Sequence, residues 1–152
     1  MTTLSNAMTA LKTHLAAIEI SGASVFSDEA IYVTTEGHDA GITRYPRAVI
    51  SIGDSDPHEE HSNALQRATI TLRLETETHA GRTGEAAAFG GYGKSGLEQI
   101  RQAVIAATDV IGPHDSPPIA PGIVLDDGAA PIKENESLVW TTLTYTGFLE
   151  VG

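Results

Sequence analysis

Two stretches of the chain carry residue types whose spacing could do chemistry. Ala88 to Ser95, AFGGYGKS, fits a relaxed phosphate-loop pattern. In it, alanine takes the first glycine position, Lys94 is offered to phosphates and Ser95 to magnesium. Asp54 to His61, DSDPHEEH, sets His58 and His61 among four carboxylates, a donor mix that suits zinc or another divalent ion. Each has a plainer competing reading. A true phosphate loop follows directly from a buried parallel strand, whereas EAAAF precedes this one, so a glycine loop leading into a capped helix is expected. The histidine segment lacks the zincin arrangement of two histidines four apart on a helix. Pro57 and the clustered charges make it a solvated loop. The expected sets are therefore no metal and no nucleotide. His58, His61, Asp54 and Asp56 are the candidates should a metal bind, and Lys94 and Ser95 should a nucleotide bind. No nucleophile elbow or dinucleotide fingerprint is found, the chain has no cysteine, and no enzymatic role or cofactor is expected.

The elements that must position any site are better marked. Arg67 to Thr78, RATITLRLETET, alternates Ile70, Leu72 and Leu74 with Thr69, Thr71, Arg73 and Glu75, which predicts a half-buried strand with an aliphatic face and a polar face. Leu4, Met8, Leu11, Leu15 and Ile18 form one stripe of a helix from about Thr3 to Ile18, ended by Gly22. Leu97, Ile100, Val104, Ala107 and Ile111 do the same for a second helix, opened by a Ser95/Glu98 capping box and closed by Gly112 and Pro113. Ala23 to Phe26 and Ala30 to Thr34 suggest a first strand or loose hairpin. Tyr45 to Ile52 predicts a strand broken by Asp54, Asp56 and Pro57, and Ile123 to Leu125 a short one. Leu138 to Val151 predicts a long terminal strand rich in threonine and aromatics.

The expected fold class is therefore α+β. Two layers are expected, an antiparallel or mixed sheet of about 4–5 strands with two amphipathic helices packed on one face, forming a single domain over residues 1–152. Irregular structure is expected at roughly 34–46, 53–66, 79–95 and 112–136, where glycine and proline cluster.

The formal net charge is −11, from 9 Lys plus Arg against 20 Asp plus Glu. Such a surface repels phosphate backbones and anionic lipid, which argues against sequence-reading of nucleic acid and against membrane association. The start of the sequence shows no signal-peptide pattern, and a soluble intracellular product is expected.

In order of elements the chain resembles the tail-terminator or tail-completion proteins of long-tailed phages and prophages. The helix MTALKTHLAAI comes first, then the strand YPRAVISIGD with its proline start and the long strand RATITLRLETET; the helix GLEQIRQAVIAA and the strand VWTTLTYTGFLEV follow. The resemblance implies a virion tail protein, present in the host cytoplasm during assembly. Copies would form a homo-oligomeric ring, hexameric in that family, that caps the head-proximal end of the tail tube and joins it to the head–tail connector, with DNA passing through the lumen unread. It would work by surface complementarity, without catalysis. Interface segments expected on that basis are Gly53 to Gln66, Ala80 to Lys94 and the outer face of the terminal strand, with Arg73, Glu75, Arg82, Tyr92, Trp140 and Tyr145 as the residues. Arg47, Arg67, Arg73 and Arg82 are scarce cations suited to inter-subunit ion pairs. The alternatives are another head–tail joining or tail subunit, a small metal- or ligand-binding module using His58 and His61, and a nucleotide hydrolase using Lys94.

Overall fold

The computed structural model describes residues 4–27, 30–34, 45–57, 65–78, 84–91, 95–109, 124–135 and 137–150. The protein is an α+β fold built on one mixed sheet. In chain order its elements are α1 (Leu4–Ala16), β1 (Glu19–Ile20), β2 (Ala23–Ser24), β3 (Ile31–Thr34), β4 (Arg47–Pro57), β5 (Leu65–Glu77), α2 (Gly84–Phe89), α3 (Leu97–Asp109), β6 (Val124–Asp127), β7 (Lys133–Glu134) and β8 (Leu138–Glu150). The sheet order is β3-β4-β5-β8-β6, with β7 also on β8. β3 runs parallel to β4, and all other pairs are antiparallel.

The alternation in β5 decides which side becomes the core. Ile70 lies opposite Ile52 and Tyr145, Leu72 opposite Ile50 and Leu143, and Leu74 opposite Ala48 and Thr141. Because side chains repeat every two residues, these register partners share a face. All three helices pack against that face. Leu11 and Leu15 of α1, Ala87 of α2, and Leu97, Ile100 and Val104 of α3 join the same buried cluster. β5 is thus the central strand, flanked on both sides by strands of similar length.

The structure corrects the expected boundaries in several places. α1 stops at Ala16, where the Ala17 and Ile18 amides bond the His14 and Leu15 carbonyls at 3.2 Å and tighten the last turn. Gly22 does not end the helix. It forms, with Ser21, the two-residue turn of the β1–β2 hairpin, both at positive φ (54° for Ser21 and 80° for Gly22). Asp54 and Asp56 do not end β4, which continues to Pro57 through an irregularity between Ile52 and Ser55. β5 begins at Leu65 and offers a partner strand there, and a bulge absorbs Gly53 and Asp54 without giving up the ladder, so that Asp56 pairs with Arg67. Residues 53–57 and 65–66 of the loop expected over 53–66 are therefore strand.

Among the described residues the sheet holds six strands rather than four or five, and α2 is a third helix inside the stretch expected to be irregular. Six residues of it, three of them buried alanines, are too few to show a helical period.

The α3 start is capped one residue later than Ser95 and Glu98 suggest. The Ile100 amide donates to the Gly96 carbonyl at 3.1 Å, and the Gln99 side chain accepts from the Gly96 amide at 2.8 Å. Gln99 thus makes the backward contact expected of Glu98, which pairs instead with Arg101 and Gln102. Glycine is required here by a close approach: a Cβ on Gly96 would lie 2.2 Å from the Gly90 nitrogen and 2.5 Å from the Phe89 carbonyl carbon. Gly96→Ala should therefore part α2 from α3 and lower the unfolding free energy by about 1–3 kcal/mol in a denaturant titration. An unchanged midpoint would mean that the two helices do not meet there.

Candidate functional site

The face of the sheet turned away from the helices carries the protein's distinctive polar chemistry. Its residues are the odd-numbered set of β5, put there by the same alternation that buries Ile70, Leu72 and Leu74. Register aligns them across strands: Arg47, Glu75 and Trp140 form one row, and Val49, Arg73 and Thr142 the next. Further along, Thr71 lies opposite Ser51 and Thr144, and Thr69 opposite Thr146, giving a half-buried field of hydroxyls.

Glu75 is the hub. Arg47 Nε donates to Glu75 Oε1 at 2.5 Å, and Arg73 Nε lies 2.9 Å from Glu75 Oε2. Arg47 and Glu75 are 4% and 2% exposed, whereas the Arg73 side chain is 41% exposed. Each guanidinium rests on an aromatic ring: Arg47 is 4.9 Å from the centre of Tyr45, and Arg73 is 4.7 Å from that of Trp140. The result is a chain running Tyr45, Arg47, Glu75, Arg73, Trp140. Glu75 thus answers two arginines, one at each carboxylate oxygen.

The Arg73 contact with Glu75 is ionic rather than a formed hydrogen bond. Arg73 Nε is buried and within ion-pair distance, but its N–H is turned out of line with the carboxylate. Arg73 is thus held in place by stacking and charge while its outer edge faces solvent.

A groove of about 290 Å³ opens beside the cluster at the end of the sheet, lined by Ile20, Val25, Tyr45, Pro46, Glu77 and Ile100 among others. Tyr45 belongs to both, since its ring meets Arg47 and forms part of the groove wall. On the helix side, Arg101 ties α3 to the sheet. Its guanidinium donates to the Ala130 carbonyl at 2.6 Å and the Thr141 hydroxyl at 3.2 Å, and that hydroxyl donates to Ala130 at 3.0 Å.

Of the residues singled out from sequence, the structure brings together Arg73, Glu75 and Trp140. Tyr145 is corrected: it lies opposite Ile70 on the helix-covered face, 4% exposed, and belongs to the core cluster. Arg82, Tyr92, Lys94, His58 and His61 lie outside the described residues. Asp54 and Asp56 sit in β4, and among the described residues no group of three or more His, Asp or Glu could hold a metal. Ala88 lies in α2, so a helix stands where a phosphate loop requires a strand. Among the described residues no helix is long and apolar enough to cross a membrane.

Sequence pattern alone does not show Arg47 joined to Glu75 and set on Tyr45. Alternation tells which face a residue takes, but only the β4–β5 register sets Arg47 against Glu75. No protein-family model matches the chain, and no curated protein matches it.

Proposed function

We propose that the chain is a tail-terminator subunit of a phage or prophage: a non-enzymatic virion protein whose copies close into a ring on the head-proximal end of the tail tube. The order of its elements supports this reading. So does the observation that carries it furthest, a sheet that, among the described residues, has its helices on one face and a preorganised ionic and aromatic cluster on the other. A sheet face bearing stacked arginines and a tryptophan has the composition of an interface core, where aromatic residues and arginine are enriched. The cluster holds no nucleophile and base pair, and its chemistry is recognition.

In such a ring each subunit meets its neighbour through two different patches, and the rotation closes. The acidic balance of the chain then has a role at the lumen, where negative charge keeps DNA from adhering as it passes. Light scattering over a wide concentration range, with negative-stain imaging of the largest species, tests the reading. Closed rings with a central hole are expected. A particle that stays monomeric at every concentration, and also in the presence of assembled tail tubes, would refute it.

A further inference from the structure

We propose that β3, the edge strand Ile31–Thr34, pairs with the opposite edge strand, β6, of a second copy of this chain, so that the sheet continues from one subunit into the next. This rests on the ring reading above and names the two patches that its subunits bring together.

Three observations lead to it. The first is an apolar residue left at the margin of the core. Val33 stands opposite Ile50, and Ile50 opposite Leu72, on the row that the helices cover. Ile50, Leu72 and, beyond them, Leu143 are fully buried, yet Val33 is 37% exposed. The row runs out at the edge of the sheet, and one more strand laid along β3 would cover its last member. Among the described residues β3 pairs only with β4. Its sequence, Ile-Tyr-Val-Thr, includes neither the charge nor the proline with which edge strands are commonly guarded.

The second is direction. β3 runs parallel to β4, and the steps from β4 to β5, from β5 to β8 and from β8 to β6 are each antiparallel. β3 and β6 therefore run in opposite directions. Rotation about an axis lying along the strands leaves their direction unchanged. A neighbour placed by such a rotation offers its β6 to β3 antiparallel, the more stable pairing per residue, and keeps its helices on the same side of the sheet.

The third is the content of the two edges. β6 carries Asp126 and Asp127, so two copies of it side by side would set like charges against each other, whereas β3 has no charged residue. The apolar positions also meet: Leu125 of β6 is the register partner of Tyr145, so joining the sheets with their two-residue periods in step brings the Val33 row of one copy onto the Leu125 position of the next. Pairing β3 with β3 about a two-fold axis would cover Val33 as well, but it stops at two copies and leaves both β6 edges over. Only the pairing of unlike edges uses both edges of every copy, and it is the kind of contact that propagates and closes.

The chain has no cysteine, so an introduced thiol is unique. Val33→Cys chains are mixed with Leu125→Cys chains and treated with a thiol-reactive cross-linker of about 8 Å, which reaches both the directly opposite and the diagonal position of an antiparallel pair. A covalent dimer should form in the mixture and not with either variant alone. The double variant Val33→Cys/Leu125→Cys should give a ladder that ends at the closed ring. Val33→Lys, which sets a charge on the edge, should need about thirtyfold higher concentration or more to associate in sedimentation velocity. A thermal midpoint within about 4 °C of wild type shows that its fold is intact.

Cross-linking among Val33→Cys chains alone, with no added product in the mixture, would show a two-fold β3 pair and overturn the β6 occupant. Wild-type rings whose mixture gives no cross-link, and which Val33→Lys leaves unchanged, would overturn the proposal and leave the ring reading standing. A ladder without limit, with open filaments in negative stain, would keep the edge pairing and overturn the ring. A wild type that never associates, alone or on tail tubes, with no cross-link in the mixture, would overturn both.

Discussion

Glu75→Gln should lower the unfolding free energy by about 3–5 kcal/mol, the range for removing one partner of a buried ion pair. The size follows from what remains. Arg47 is 4% exposed and its Nε is aimed at Glu75 Oε1 at 2.5 Å; with an amide in place of the carboxylate, the buried guanidinium loses the charge that Glu75 sets against it. Arg73 would also lose its holder but has water available, so its share of the loss is small. Arg47→Met in the same chain should recover a large part of the loss, because the buried charge is then gone along with its partner. Urea titrations of the two single variants and the double variant check this. Additive losses would show that Arg47 and Glu75 do not act as a pair.

Leu72→Ala should cost about 3–5 kcal/mol, and Thr71→Ala, the adjacent residue, under about 1 kcal/mol. Leu72 is fully buried between Ile50 and Leu143, the residues opposite it on β4 and β8, so truncation leaves a cavity within the buried cluster. Thr71 is half-buried on the opposite face beside Ser51 and Thr144. The contrast between neighbours one position apart measures the two-faced character of the sheet directly. Equal losses from thermal or urea unfolding would mean that β5 is buried on both sides.

How far the sequence leads depends on whether the physics is local. The aliphatic row of β5 and the stripe of α3 are repeated over several turns or pleats, and the buried positions Ile70, Leu72, Leu74, Leu97, Ile100 and Val104 follow from that repetition. Boundaries depend on partners. Asp54 and Asp56 are poor strand residues by propensity, yet β5 reaches past them and supplies a ladder, so tertiary pairing overrides the local preference. The Ser95/Glu98 pattern does not locate the start of α3, whose cap lies at Gly96 with Gln99 reaching back. The approach of the Phe89–Gly90 backbone, which only Gly96 admits, is a long-range fact. Both rows of β8 carry large aromatic groups, and alternation alone does not say which of Trp140 and Tyr145 faces inward. The register to Ile70 decides it. The Arg47–Glu75 pair is the same kind of fact, a contact between strands that becomes visible once the register is known.

The position of β8 beside β5 has a consequence for the order in which the molecule forms. β4 and β5 are neighbours in sequence and can pair early, whereas the Glu77 and Leu138 contact closes a long loop that includes two helices. Non-local pairing of this kind is slow, because loop-closure entropy must be met before any contact rewards it. Until β8 arrives, the β4–β5 hairpin shows one unsatisfied edge and the aliphatic row of Ile70, Leu72 and Leu74. During that interval the β8 of another chain fits the gap as well as the chain's own, so crowded synthesis would favour strand-exchanged dimers. Dilution during refolding, by contrast, favours the chain that closes on itself.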